Sequence, residues 1–160
     1  MVRWAEFERL RPDLAQAGRE LFYFFGVGLA LLGTVRRDGG PRVHPVCPLI
    51  AESRLLAFII PSPKLRDLLR DGRYALHSYP LPENEDVFYV TGEVQVLRDA
   101  DLRSEAERLF QEERPDLTPE LAAQTLVEFK IETCLLTRTT SHGDPDPQHT
   151  VWKAGASQRF

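Results

Sequence analysis

Near residues 25–29 the hydrophobic period of this chain switches from about 3.6 residues to two, and that switch decides what it can fold into. Before it, Trp4, Phe7 and Leu10 recur at helical spacing, and so do Leu14, Ala17, Leu21 and Phe25. After it, Leu29, Leu31, Gly33 and Val35 alternate with their neighbours, which is the signature of a strand. Asp38-Gly39 follows at once, the strongest short signal for a β-hairpin. A chain that turns back on itself so soon after a strand builds antiparallel sheet, and the helices are left to its periphery.

The remaining elements follow from pattern and punctuation. Pro12 disfavours helix at Arg11, and Asp13 is expected to cap a second helix. Gly26-Val27-Gly28 ends that helix. The spacing predicts a second strand over Arg42–Ile50, a turn at Glu52-Ser53, and a third strand over Arg54–Ile60 whose unbroken apolar run points to burial on both faces. A helix over Lys64–Leu69 is expected to bury Leu65, Leu68 and Leu69 and to end at Asp71-Gly72 in a left-handed cap. Tyr74–Tyr79 is the fourth strand. Val87–Leu97 is a long fifth one, with Gly92 marking a bend or bulge. A charged helix spans Asp99–Glu113, and Thr118-Pro119 opens a short one. In the strand Leu126–Thr137 the apolar Val127, Phe129 and Ile131 alternate with Glu128, Lys130 and Glu132. Gln148–Lys153 closes the series with Trp152. The expected class is mainly β: a six- or seven-stranded antiparallel barrel with flanking helices, one domain over residues 1–160, helical over 1–25 and barrel over about 28–153.

Composition narrows the function. With 42% hydrophobic and 28% charged residues the chain has the make-up of a soluble globular protein, and its formal net charge of −4 argues against nucleic acid as a partner. The apolar stretch Leu21–Leu32 is interrupted by glycines and falls short of a membrane span, so no membrane partner is expected. Cys47 and Cys134 form no CxxC or metal pattern and read as buried thiols of a reducing cytoplasm. No metal site is expected: His142, Asp144, Asp146 and His149 match no ligand spacing. Phosphate loops, dinucleotide fingerprints and nucleophile elbows are absent.

One stretch stands out. In "FIIPSPKLRDLLRD", residues 58–71, a strand ends between two prolines at Ser62, and Lys64 sits in the first turn of a helix. A helix start offers free amide donors and a partial positive charge, so a hydroxyl and an ammonium there make an anion seat; a serine cap with a solvated lysine is the plainer alternative. Arg42 and His44 share one face of the second strand with Val46, and either extend that seat or face solvent. Pro45 and Pro48 place this strand at an edge or break of the sheet. Trp152 is a core or interface residue, or a surface for a planar ring.

The order of these segments resembles a known group. A DG hairpin, "PRVHPV", "LLAFII", "SPKLRDLLRDGRYAL" and a long strand with "VTGEV" succeed one another over roughly residues 20–137, with Trp152 as an extension. In this the chain is similar to the FMN-binding split-barrel superfamily of pyridoxamine 5′-phosphate oxidase. The resemblance implies a homodimer with FMN between the subunits and an oxidoreductase acting on a small molecule. It implies that Ser62 and Lys64 hold the phosphate and that Arg42 and His44 lie toward it. Pro45, Val46 and Ile60 would line the ring, and Trp152 would reach it from the partner. His44 stands where relatives commonly carry arginine, and the arginine- and histidine-bearing C-terminal signature of true pyridoxamine phosphate oxidases is missing. The resemblance therefore does not carry vitamin B6 phosphate over as substrate. Relatives that use the deazaflavin F420 or bind haem leave two alternatives, an F420-dependent reductase or a non-catalytic flavin- or haem-binding protein, with His44, His77, His142 and His149 as candidate haem ligands.

Overall fold

The structure is a computed structural model that describes residues 1–51, 53–115 and 120–155. In chain order the elements are α1 (Trp4–Leu10), α2 (Pro12–Phe22), β1 (Tyr23–Phe24), β2 (Val27–Gly28), β3 (Ala30–Val35), β4 (Pro41–Val46), β5 (Leu49–Ala51) and β6 (Arg54–Ile59). There follow α3 (Pro63–Arg70), β7 (Arg73–Ser78), β8 (Val87–Val96), α4 (Ala100–Glu113), a single 3-10 turn at Leu121–Ala123, β9 (Thr125–Arg138) and β10 (Gln148–Lys153). The expected Thr118-Pro119 helix start lies outside the described residues, as does Glu52.

Eight strands form one antiparallel sheet in the order β4-β3-β7-β8-β9-β6-β5, with β10 also on β9. The count exceeds the six or seven expected for one reason. The predicted strand Arg42–Ile50 is broken at Cys47-Pro48 into β4 and β5, and these occupy opposite edges of the sheet. Consecutive Cα atoms are about 3.8 Å apart, so Val46 and Leu49 lie within about 11 Å. A flat sheet of this width cannot bring its two edges so close. The sheet must curl into a barrel whose split runs between β4 and β5, and Pro48, which has no amide hydrogen to donate, sits at the crossing. Gly28 packs there without a side chain: a Cβ on it would meet the Pro48 carbonyl oxygen at 1.8 Å.

β9 is the spine. One side pairs with β8 along most of its length. The other side pairs first with β6, then with Val2 at Ile131, then with β10. The register shifts between Thr91 and Gly92, the bulge expected at this glycine, whose absent Cβ would meet the Lys130 carbonyl oxygen at 1.9 Å. Asp38-Gly39 turns β3 into β4 with Gly39 at φ 83°, and Gly72 follows α3 at φ 81°.

Burial on both faces of β6 has a simple cause. Leu55, Ala57 and Ile59 point into the barrel core, and Leu56 and Phe58 point into a second cluster with Ala106 and Phe110 of α4. The barrel core is closed by α1 and α2, which stack Trp4, Phe7 and Phe22 around Phe88. A Cβ on Gly18 would approach both Phe88 and Trp4 to 2.8 Å, so this glycine sets how closely α2 seats.

Three sequence expectations are corrected. Arg11, not Asp13, is the residue preceding α2, and Asp13 instead accepts from the Arg11 guanidinium. Leu69 is 59% exposed, because the buried stripe of α3 is Leu65, Asp67 and Leu68. Glu128 is fully buried rather than on an outer polar face: Arg54 and Lys130 reach it at 2.8 and 2.7 Å, so the charge is compensated where it lies.

One further consequence of register concerns the outer surface. Pro45, Leu31, His77, Tyr89, Leu135 and Val151 stand opposite one another across six neighbouring strands. Directly paired residues project to the same side, so these form one row on the outward face, largely apolar and none of them buried.

Because the split is closed at a glycine, Gly28→Ala is expected to lower the unfolding free energy by about 1–3 kcal/mol, the scale of overpacking. Urea unfolding of the two proteins measures this, and equal midpoints would mean that the crossing is not tightly closed.

Candidate functional site

The curl brings the end of β6 beside β4. Ile60 leaves the sheet half-exposed, Ser62 adopts an extended conformation (φ −164°), and Pro63 starts α3 with its φ already helical. Ser62 Oγ accepts from the Leu65 amide at 3.4 Å and donates to the Ile60 carbonyl at 2.8 Å, so the serine caps the helix. Lys64 Nζ reaches across the split and donates to the Pro45 carbonyl at 3.2 Å. Proline leaves that part of β4 without an amide donor, and its carbonyl is the acceptor the lysine finds.

Lys64 is the electrostatic centre of this corner. It is half-buried, and burial pushes its ammonium below the usual lysine range, with Cys47 nearby opposing that shift. It forms no ion pair with a carboxylate among the described residues. A partly desolvated cation with only a neutral carbonyl for a partner, at a helix N-terminus, favours an incoming anion. The Cys47 thiol is pushed up by burial, although Arg114 and Lys64 pull the other way, so the site disfavours its thiolate.

Arg42 and His44 lie on the inner side of β4, opposite Thr34 and Leu32. Arg42 donates through Nε to Asp67 Oδ2 at 2.7 Å. Asp67 is buried on α3 and also accepts from Thr34 Oγ1 at 3.1 Å and Arg70 Nη1 at 3.3 Å. Burial pushes its carboxyl up, but the hydrogen bonds from Arg42, Thr34 and Arg70 outweigh that and hold it below the usual 3.8. This clamp fastens α3 to β3 and β4. Sequence reasoning missed it because Asp67 reads as one charge among many in "KLRDLLRD"; its position between Leu65 and Leu68 was the available clue.

Of the expected site residues, the structure joins Lys64 to Pro45 and Ser62 to Ile60; Arg42 reaches α3 through Asp67, and His44 lies between Arg42 and Pro45 along β4. The Val46 side chain is buried in the barrel core, which leaves its backbone to line the corner. Trp152 stands apart within the chain: it lies on β10 opposite Cys134, with its ring against Phe7 at 5.0 Å between centroids. His142 and His149 are engaged by the Pro82 carbonyl and Thr137 Oγ1, and no group of three or more metal-ligating side chains occurs among the described residues. No helix among the described residues is long and apolar enough to cross a membrane.

No family model matches the sequence, and a search of curated proteins finds no relative. Solved structures do share the fold. A protein of Clostridium acetobutylicum related to general stress protein 26, of the pyridoxinephosphate oxidase family, superposes with a TM-score of 0.57 at 14% identity, covering 94% of this chain and 96% of its own. A FAD-binding protein of Mesorhizobium loti gives 0.58 at 18% identity, covering 74% and 89%. A haem binding protein of Mycobacterium smegmatis gives 0.62 at 11% identity over 78% of this chain; this chain spans about half of that one, 52%. The chain thus has the split-barrel fold that these proteins share, at identities that speak for the fold alone.

The Asp67 clamp predicts a defined acid response. Its folded pKa is depressed, so its stabilisation is complete above the ordinary value near 3.8 and is lost as pH falls through the folded value. Asp67→Asn is expected to cost about 1–3 kcal/mol at neutral pH, the range for a lost charged hydrogen-bond partner. The gap in Tm between variant and wild type should then close as pH is lowered from 5 toward 2. A constant gap across that range would exclude the carboxylate as its source.

Proposed function

We propose that this corner seats the phosphate of FMN and that the protein is a homodimeric flavin-dependent oxidoreductase acting on a small molecule. The observation that carries the reading is Lys64: a half-buried ammonium that has no carboxylate partner among the described residues, at the start of α3 and across the split from β4. The residues present fit a phosphate. Lys64 supplies charge, the first amides of α3 supply donors, and the Ser62 hydroxyl needs only to turn from the Ile60 carbonyl to donate outward. Arg42 and His44 lie on the adjoining inner side of β4. Ile60 and the exposed Pro45 offer apolar edges to a flat ring. When bound, a flavin supplies hydride and electron transfer itself, so the chain has only to hold, orient and shield it. A FAD-binding protein and a member of the pyridoxinephosphate oxidase family among the structural neighbours support the reading.

The homodimer is part of the same proposal. A single copy leaves the outward row from Pro45 to Val151 uncovered, and an apolar face of this extent is where a second copy docks. Pro45 belongs both to that row and to the Lys64 contact, so pairing would close the corner from outside.

The first test is the absorption spectrum of the purified protein and of protein saturated with FMN. Flavin bands are expected; a Soret band would favour haem, as in the haem binding neighbour, and the single band of a deazaflavin would favour F420. Lys64→Ala should weaken FMN binding by about 1.5–3 kcal/mol, or roughly 10- to 150-fold in Kd. An unchanged titration would remove Lys64 from the seat.

Sedimentation provides the second test. The protein should sediment as a dimer, and Leu135→Glu, which puts a charge in the middle of the outer row, should give folded monomers that no longer retain flavin. A monomeric wild-type protein that still holds flavin would contradict the dimer.

A further inference from the structure

Along α3, past the proposed phosphate seat, runs a groove of about 720 Å³ between the helix and the β3–β4 turn. Its walls carry five arginines: Arg36 and Arg37 from the turn, Arg42 from β4, and Arg66 and Arg70 from α3. Two carboxylates share it, Asp38 and Asp67, which leaves a formal excess of three positive charges. The whole chain carries −4, so this is a local concentration of charge and not a general basicity.

The arginines have different duties. Arg42 and Arg70 are held by buried Asp67, and Arg70 also donates to the Val35 carbonyl, which ties α3 to the turn. Arg36 pairs with Asp38 in its own turn. Arg37 and Arg66 form no ion pair among the described residues, and both are exposed on the groove wall. Asp67 thus holds two guanidinium groups in place, Arg42 from β4 and Arg70 from α3, and the turn adds Arg36 and Arg37 beside Arg66. Arg66 and Arg70 stand four residues apart on one helical face, about 6 Å along the axis. Arg42 and Arg70 converge on Asp67, and Arg66 and the two arginines of the turn extend the positive wall beyond that point. A guanidinium fork matches phosphate oxygens two at a time, and the volume is that of a nucleotide site and larger than a single phosphate needs.

We infer that this groove is a binding site for a diphosphate group, with Arg37 and Arg66 as its free ligands and Asp67 as the residue that positions Arg42 and Arg70. The site goes beyond the flavin reading and shares only Arg42 and Pro63 with the neighbourhood of the seat. The same chemistry has two sources. The diphosphate belongs either to a dinucleotide cofactor whose first phosphate lies at Lys64, or to a separate nucleotide that binds beside the flavin.

The experiment is calorimetric titration of the full chain with inorganic pyrophosphate and, separately, with inorganic phosphate. Pyrophosphate is expected to bind with one site per chain and at least tenfold more tightly than phosphate. The double variant Arg37→Ser/Arg66→Ser should weaken pyrophosphate at least tenfold while its circular dichroism and its FMN affinity stay as in the wild type. Absence of pyrophosphate binding, equal affinity for the two anions, or a double variant that binds as well as the wild type would each overturn the site. The source is then assigned by competition. Displacement of pyrophosphate by FAD but not by FMN gives the diphosphate to a dinucleotide cofactor, and simultaneous binding of FAD and pyrophosphate gives it to a second nucleotide. Should the protein bind no flavin at all, the pyrophosphate titration still decides this site, so the two readings fail separately.

Discussion

The short crossing at Cys47-Pro48 is the constraint from which the rest of the molecule follows. It carries the chain from β4 at one sheet edge to β5 at the other in two residues. With so little chain, the edges must nearly meet, and the sheet has to curl. Curling exposes a seam between two unlike strands, one of them poor in amide donors because of Pro41 and Pro45. Helix α3 fills that seam. Leu65 and Leu68 enter the core beneath it, and Asp67 fixes it from the side through Thr34 and Arg42. The cap at Ser62 and the reach of Lys64 to the Pro45 carbonyl complete the closure.

The charged side chains at this seam are treated in two ways, and burial of their partners makes the difference. Asp67 is buried while Arg42 and Arg70 are partly exposed, so its bonds to them are screened less by salt than those of a surface pair. A carboxylate on the surface would have neutralised these charges weakly and left them mobile. Placed inside, it orients two guanidinium groups: Arg42 is held through Nε alone, and Arg70 is held between Asp67 and the Val35 carbonyl. Lys64 is treated differently: it is half desolvated and given a carbonyl. The result is a gradient from neutralised to uncompensated charge along α3, within a chain whose total charge is negative.

Much of the fold was legible because its signals are local. Asp38-Gly39, Gly72 and Gly92 each mark a backbone need that is met where they stand, and the apolar run of β6 reports burial on both faces. What escaped is long-range. Pro45 and Pro48 announced an interrupted strand, but nothing local to Arg42–Ile50 says that its two halves lie on opposite edges. Glu128 fits the alternation of an outward polar position; only the arrival of Arg54 and Lys130 makes its burial tolerable. Asp13 is a good capping residue, yet Pro12 at the first helical position shifts the start and hands it to Arg11. The corner around Ser62 and Lys64 was legible as a cluster of residue types. The Asp67 clamp and the arginine groove were not, because their members come from β3, the following turn, β4 and α3, and only the curl assembles them.

The outward row and the corner meet at Pro45, so the proposed second copy and the proposed phosphate would act on one residue. The proline's ring is on the exposed face and its carbonyl accepts from Lys64. A second copy docking on the row would therefore press on the residue that holds the lysine. It would also remove water from the ammonium, and an electrostatic attraction strengthens as the local dielectric falls. A phosphate at Lys64 and a partner on the row then favour each other without any movement of the barrel. Each makes the other's desolvation less costly, and by linkage the coupling has one value in both directions. On this account the split of the barrel, left open by one chain, is where the proposed pairing and the proposed cofactor retention would become one equilibrium with folding.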